Sequence, residues 1–351
     1  MKKFIFTLFV TFISLSILSA CSEDGPAFED LYQIKKDTIV KTDTTFHTDT
    51  IIKKDSITNK ADTIIIVDTI VKKDTVLTED TIIYPNIISP SDTVPHFKIT
   101  ISPYIKTGFF NGCQGAACYG KYLFQFIHAN ISLHVYDMET KSRIGIFEQE
   151  RNDQNHCNNA SFSNIFYDKN DEFPLVYVSG SQVSSYNHVQ VYRIKKTNNN
   201  FILEHIQEIT LPESNENNHL YWTSVTLDDN GYMYVLASHS GGQIAKFRIP
   251  DVNKQDVTIH YNEVIDHFTV PNFICLQGAC YKDQMLYIAD GGSNTKRSLR
   301  IIDLNNRREY QKIELNIAWE PEGMVFYGDQ LILTTGAGFY ALNLERIDNN
   351  E

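Results

Sequence analysis

From residue 97 onward, apolar positions fall in short runs that alternate with polar ones, and no stretch carries the 3.6-residue period of a useful amphipathic helix. Runs of this kind, bounded by Gly, Asn and Asp, predict strands. Laid over one another, they repeat. Gln114-Gly115-Ala116 leads to Tyr122-Leu123-Phe124, Gln277-Gly278-Ala279 to Met285-Leu286-Tyr287, and Glu322-Gly323-Met324 to Gln330-Leu331-Ile332. In all three, nine residues separate the polar starter from the central Leu. A looser copy runs from Thr223-Ser224-Val225 to Met233-Tyr234-Val235, and the loosest from about Ser163 to Leu175-Val176-Tyr177.

Each copy is followed by more strand-like runs. The first has 134–136 and 144–147, the second 189–192 and 201–211, the third 244–247 and 264–270, and the fourth 299–302 and 310–317. The last has only Phe339-Tyr340-Ala341-Leu342, and its missing outer strand is available at Phe97-Lys98-Ile99-Thr100-Ile101. This is the pattern of an all-β ring of four-stranded blades whose termini meet in one sheet, a β-propeller. At roughly 50 residues per blade, 97–348 holds five blades. Six would require splitting the second or third repeat. A β-sandwich has no reason to keep a fixed repeat spacing. Residues 349–351 are a tail.

The first 96 residues follow other rules. Lys2 and Lys3 precede an apolar run over 4–18, which is shorter than the ~20 residues a membrane span needs and reads as a secretory signal over 1–20. From 21 to 96 the chain is a repeat stalk. Aspartates recur at 37, 43, 49, 55, 62, 68, 74, 80 and 92, each followed by Thr or Ser and then Ile, Val or Thr; 97–351 contains no Asp-Thr or Asp-Ser. One reading is an extended, β-prone spacer, too poor in buriable side chains to offset its ordering entropy. A period of six also fits a parallel β-helix, but the Gly-rich turns and continuous core of that fold are missing.

Three resemblances sharpen this part. Leu18-Ser19-Ala20-Cys21 resembles a bacterial lipobox, which implies that Cys21 becomes an acylated N-terminus, with palmitate-type chains holding it to the membrane. Two or three chains make a stable anchor where one is marginal. Ser22-Glu23-Asp24 resembles the export tag of Bacteroidota surface lipoproteins, which implies the outer membrane, facing outward. The Asp-Thr/Ser-aliphatic triplet is similar to the O-glycosylation sequon of the same phylum. It implies acceptors at Thr38, Thr44, Thr50, Ser56, Thr63, Thr69, Thr75, Thr81 and Thr93. Six is a multiple of two and of three, so the acceptors would share one side of a strand or of a polyproline-II helix. Fully extended, the stalk would reach roughly 250 Å.

Composition narrows the partners. Removing Lys2 and Lys3 takes the formal charge from −12 to −14, which excludes a nucleic-acid binder that relies on clustered basic residues. Aromatic content of 12% excludes a mostly disordered chain. In a propeller the inner strands surround a funnel, so Gln114, Thr223, Gln277, Glu322 and a residue near Ser163 should ring it. Loops entering those strands bring Phe110, His156, Asn158, Tyr221, Trp222, Phe273, Trp319 and Glu320 to one face. Loops between second and third strands bring His128, Asn130, Tyr186, His188, His239, Asp290, Asn294 and Arg297 to the same face. Aromatic rings beside amides and carboxylates suit sugars; Phe110 and Phe273 are expected instead to plug the wedges between blades, and for Trp222 and Trp319 the two readings stand level.

Glu320-Pro321-Glu322-Gly323 is the most enzyme-like segment, since two carboxylates two residues apart on a strand could split acid and base roles. A calcium site would want more carboxylates than these, so no metal or cofactor is expected. No Gly-x-Ser-x-Gly, His-x-His or His-Glu-x-x-His pattern occurs. After Cys21, five cysteines remain: Cys113, Cys118, Cys157, Cys275 and Cys280. Cys113 with Cys157 and Cys275 with Cys280 are candidate disulfides in an exported chain; buried free thiols are the other reading. The repeat rhythm resembles bacterial five-bladed propellers, and propeller lactonases and related hydrolases carry glutamates near this position. The leading expectation is a surface lipoprotein whose head binds an extracellular ligand, most of all a carbohydrate. The alternatives are an extracellular hydrolase or lyase using Glu322 and Glu320 with His156 or His239, and a protein-interaction module.

Overall fold

The computed structural model describes residues 96–109, 112–128, 132–148, 156–180, 187–198, 200–213, 220–237 and 241–347, and the backbone alone of 52–59 and 62–69. The signal segment, Cys21 and the acceptor positions Thr38, Thr44, Thr50, Thr75, Thr81 and Thr93 lie outside these residues, as do Phe110, Asn130, Tyr186 and His239. The chain divides into two units, with Glu23–Asp92 as one and the head in the other. Within Glu23–Asp92, β1 (Ile52–Asn59) and β2 (Asp62–Thr69) pair antiparallel, Asn59 opposite Asp62 and Ile52 opposite Thr69. The β-branched repeat thus finds a strand partner in its own neighbour. Ser56, Thr63 and Thr69 fall on this hairpin.

The head is a five-bladed β-propeller. Blade 1 is β4 (Cys113–Tyr119), β5 (Tyr122–Ile127), β6 (Ser132–Asp137) and β7 (Ser142–Glu148), in that order from axis to rim. Blade 2 is β8 (Asn159–Phe162), β9 (Val176–Ser179), β10 (His188–Thr197) and β11 (Asn200–Thr210). Blade 3 is β12 (Trp222–Leu227), β13 (Tyr232–Ala237), β14 (Gln243–Arg248) and β16 (Asp266–Thr269). Between β14 and β16 the chain leaves its own blade, adds β15 (Asp256–Thr258) parallel to the outer edge of blade 2, and makes a 3-10 turn at Tyr261–Glu263. Blade 4 is β17 (Leu276–Lys282), β18 (Met285–Asp290), β19 (Ser298–Asp303) and β20 (Arg308–Glu314). Blade 5 is β21 (Pro321–Tyr327), β22 (Gln330–Thr335), β23 (Gly338–Ile347) and, from the start of the head, β3 (His96–Lys106). The closure is the expected one: Leu342 pairs with Ile101 and Leu344 with Ile99.

Blades are buried on both faces, which is why their strands read as apolar runs. On β18, Leu286 and Ile288 pack toward blade 3, while Tyr287 and Ala289 pack toward blade 5. On β5, Leu123 faces blade 5 and Phe124 faces blade 2. Each of the five blade interfaces holds one apolar cluster. The wedge between blades 1 and 2 is the most aromatic, with Phe124, Phe173 and Phe201 in edge contacts of 5.2 to 5.7 Å. Among the described residues, no helix is long and apolar enough to cross a membrane.

The inner strands meet almost backbone to backbone. A Cβ built on Gly278 would lie 2.5 Å from the Cα of Gly323, one on Gly323 would lie 2.9 Å from the amide nitrogen of Ala116, and one on Gly115 would lie 2.6 Å from the Cα of Asn159. The glycine after the polar starter is therefore a packing requirement of the ring. Asn159 takes the same place in blade 2, and its Nδ2 donates to the carbonyls of Val225 at 2.6 Å and Ala279 at 2.8 Å. One side chain thus pins three blades at the axis. Gly278→Ala should destabilise the head by about 1–3 kcal/mol, the range for overpacking a closed core, and its urea midpoint should fall accordingly; an unchanged midpoint would show that the inner ring can widen.

Candidate functional site

The mouth of the funnel is built by a repeated backbone irregularity. Pairing slips by one residue between Cys113 and Ala116 in β4, Trp222 and Ser224 in β12, Leu276 and Ala279 in β17, and Pro321 and Gly323 in β21. Each bulge contains the starter: Gln114, Thr223, Gln277 or Glu322. A bulge unpairs a residue and re-aims its side chain, so the four starters turn toward the axis at the same end of the ring. The fifth starter is not near Ser163, as the sequence rhythm suggested. Ser163 lies past the far end of β8, where its Oγ donates to Leu175 at 3.1 Å and accepts the amide of Ile165 at 3.1 Å. Asn158 fills the ring position, donating its Nδ2 across the axis to the carbonyl of Leu276 at 3.1 Å. Cys157-Asn158-Asn159-Ala160 matches Cys113-Gln114-Gly115-Ala116 in its Cys, its amide and its Ala, a signal available in the sequence.

Around this ring the loops supply the rest. Gln277 donates its Nε2 to Glu320 at 2.7 Å and contacts the Cys275 sulfur at 3.5 Å. Burial raises the Glu320 carboxyl above its usual range, against the opposing pull of the Arg297 charge. Arg297 itself is turned into the wall: Nη1 donates to the carbonyl of Ile317 at 3.1 Å and Nη2 to that of Ser293 at 2.8 Å. Glu322 is half-buried and stands near Cys113, whose thiol is pushed up to about 12 by burial first and by that carboxylate second. His128 and His156 pack ring to ring at 4.8 Å. Burial, then the neighbouring His128, lowers His156 from 6.5 to about 4.

The two tryptophans part company. Trp319 is 42% exposed and packs against Phe109, itself 62% exposed, with ring centres 5.2 Å apart and planes tilted by 36°. Phe109 stands at this rim, while its neighbour Phe110, expected on this face, lies outside the described residues. Trp222 is not a mouth residue. It is buried in the wedge between blades 2 and 3, with its Nε1 bonded to the carbonyl of Pro212 at 2.9 Å. Tyr221 beside it is half-buried. Phe273 plugs the wedge between blades 3 and 4. His188 is drawn off the axis into a chain with Glu208 at 3.0 Å, Gln190 and His205 on the outer half of blade 2. Asn294 is exposed on the β18–β19 loop.

Asp290, expected on the mouth face, is buried beneath it in a charged clamp with Arg300, the lone Arg in the apolar run of β19. Arg300 is 1% exposed and Asp290 is fully buried. The guanidinium donates to the carbonyls of Pro271 at 2.6 Å and Asn272 at 3.0 Å, pairs with Glu309 and Asp290, and lies 4.3 Å from the centre of the Phe273 ring. Asp290 Oδ1 accepts the amides of Ile274 at 2.8 Å and Cys275 at 2.9 Å. The clamp fixes the loop that carries Cys275 and Gln277 into the site. The expected disulfides are not formed: Cys113, Cys157, Cys275 and Cys280 are all free thiols. Cys157 and Cys280 pack into different blade wedges, and Cys113 and Cys275 stand at the mouth. Among the described residues, no three His, Cys, Asp or Glu side chains group to hold a metal ion. A shallow recess lined by Pro212, Glu213, His260 and Tyr261 shares no residue with the mouth.

No protein-family model matches the chain and no curated protein resembles it. Solved structures share its fold. The PQQ-bound aldose sugar dehydrogenase of Streptomyces coelicolor is 9% identical, with 72% of this chain and 100% of that one covered at a TM-score of 0.45. The glutaminyl cyclase of Myxococcus xanthus is 9% identical over 73% and 98%, at 0.43. Virginiamycin B lyase from Staphylococcus aureus is 13% identical over 71% and 100%, at 0.40. At such identities the likeness is one of architecture, and the chemistry must be argued from the residues themselves.

The lowered His156 has a readable consequence. Its folded form holds the proton more weakly than the unfolded chain, so its contribution to stability is complete above pH 6.5 and is lost as pH falls toward about 4. Across that window, His156→Gln should flatten the decline of unfolding free energy by up to one proton's worth of slope, about 1.4 kcal/mol per pH unit. Chemical denaturation at half-unit steps of pH measures it, and identical slopes would show that His156 is solvated.

Proposed function

We propose that this protein is a lipid-anchored surface receptor whose propeller head binds extracellular carbohydrate at its mouth. The observation that carries the reading is the exposed Phe109–Trp319 ring pair beside the half-buried Gln277–Glu320 hydrogen bond. A sugar ring offers one apolar face and a rim of hydroxyls, and binding it needs a flat aromatic platform next to fixed polar groups. Trp319 and Phe109 form the platform, while Gln114, Gln277, Glu320 and Glu322 supply the polar groups. The clamp at Arg300 keeps part of this wall in place before any ligand arrives, which lowers the ordering cost of binding. Cys21 after Leu18-Ser19-Ala20, the acidic residues behind it and the nine-copy stalk support an anchored, outward-facing, glycosylated molecule. A tether of that length would lift the head beyond surface polysaccharide.

One observation favours a second reading as an extracellular hydrolase. A carboxyl raised by burial, as at Glu320, is what a general acid requires, and Glu322 would be its basic partner. A single titration series separates the two. Trp319→Ala should weaken binding of the best oligosaccharide at least tenfold, and wild-type fluorescence should change on binding through Trp319, since Trp222 is buried. If Glu322→Gln abolishes measurable cleavage while binding persists, the protein is an enzyme; a wild type that binds without turnover is a receptor. For the anchor, Cys21→Ala should abolish palmitate incorporation and release the protein from the membrane fraction, and retention of label would sink the lipoprotein reading.

A further inference from the structure

Resting for its ligand class on the glycan reading of the mouth, we infer that the opposite face of the head carries a second sugar-binding platform, built by the connection between β8 and β9. In the other four blades the first two strands are joined by short turns: 120–121, 228–231, 283–284 and 328–329. Blade 2 uses 163–175 for the same step. Closing the ring does not require that length, and long ordered connections are where function is carried. This one is held firmly. Ser163 N donates to the carbonyl of Leu175 at 2.9 Å, and Leu175 N to that of Ile165 at 2.8 Å. Asn164 Nδ2 donates to the carbonyl of Asp229, in the blade 3 turn, at 2.9 Å. Asp171, its side chain 8% exposed, accepts from Arg193 Nε at 2.9 Å, and Glu172 pairs with Lys196 at 2.9 Å.

What the fixed loop presents is aromatic. Phe166 is 41% and Tyr167 48% exposed, and Tyr119, at the far end of β4, is 37% exposed. Tyr119 and Phe166 meet edge to face at 6.3 Å, and Tyr119 also rests on Phe162 at 5.6 Å and Phe173 at 6.2 Å. The Arg193 guanidinium that binds Asp171 lies 5.2 Å from the centre of the Tyr167 ring. Size chooses the occupant. Three rings of about 150–250 Å² each, at these exposures, offer roughly 200–300 Å². That is well short of the ~800 Å² per partner of a stable protein interface, but it suits the apolar face of a short stretch of sugar. Asn164, Asp168 and Asn170 are exposed on the same loop, and Asp229 on the turn bonded to it. Hydrogen-bonding groups therefore accompany the rings, as the hydroxyl rim of a sugar requires, and the ordered loop lowers the cost of binding.

The full chain, purified in detergent, would be titrated with neutral gluco- and manno-hexasaccharides by calorimetry and by tryptophan fluorescence. Trp222 is buried and Trp319 stands at the mouth, so fluorescence reads the mouth while calorimetry reads both faces. The expected result for the best oligomer is two calorimetric sites per chain, falling to one in Phe166→Ala/Tyr167→Ala with the fluorescence Kd unchanged within about twofold. In the wild type, saturating oligomer should also slow hydrogen exchange across 163–175, which decides the point if the double variant does not fold. One wild-type site that survives the double variant, or exchange across 163–175 unmoved by ligand, overturns the second platform and leaves the mouth standing. One site that the double variant abolishes and Trp319→Ala keeps overturns the mouth reading and leaves this platform. Binding of none of these oligomers overturns both. Dissociation of a dimer by the double variant, with sugar stoichiometry unchanged, assigns the rings to a second copy of the chain and overturns the proposal.

Discussion

The head depends on how closely five inner strands can approach one axis. Gly115, Gly278 and Gly323 let neighbouring backbones come within the space a methyl group would need, and Asn159 spans what is left by donating to two carbonyls from two other blades. With the ring closed at that radius, each blade is wedged between two others and both of its faces become interior. Wider packing would leave the apolar clusters between blades open to water, so the burial that stabilises the fold is conditional on those glycines.

The same constraint makes the site. Inner strands that nearly touch leave little room for side chains at this level, and in β4, β12, β17 and β21 the bulge displaces one residue toward the open end. Gln114, Thr223, Gln277 and Glu322 are therefore gathered by backbone geometry, with Asn158 completing the ring. The loops above them need separate support. Arg300 and Asp290 give it to the blade 4 loop, at the expense of burying charges that are stable only because nearly every donor finds an acceptor. At the blade 4 side of the mouth, Arg297 is bound inward to loop carbonyls and Glu320 accepts from Gln277.

Much of this was readable in one dimension because a propeller repeats one local solution. The spacing from Gln114 to Leu123 recurs in blades 4 and 5, and the velcro of β3 onto β23 follows from a last repeat that lacks a strand. Blade 2 was misread at its first strand. There 163–175 replaces the tight turn between β8 and β9, which breaks the nine-residue spacing, and Cys157–Ala160 carried the alignment instead. Trp222, expected either at the mouth or in a wedge, was undecided for a different reason. An aromatic at the start of an inner strand can turn to the mouth or into the wedge, and the carbonyl of Pro212 with the apolar neighbours of blades 2 and 3 decided for the wedge. Cysteine pairing failed for a similar reason: in each expected pair one thiol, Cys157 or Cys280, packs into a wedge while the other, Cys113 or Cys275, stands at the mouth.

The sequence by itself determined the Asp-Thr/Ser repeat ahead of the head, the all-β class, the number of blades and the place where the ring closes. Each of these rests on local order along the chain: a run, a spacing, a triplet. Tertiary structure decided which aromatic ring is exposed, that Arg297 is turned into the wall, that Gln114 keeps an unpaired oxygen, and that Arg300 clamps a loop it does not adjoin in sequence. Those are properties of neighbours brought together from separate blades, and no local pattern encodes a distance between residues that meet only when the ring is shut.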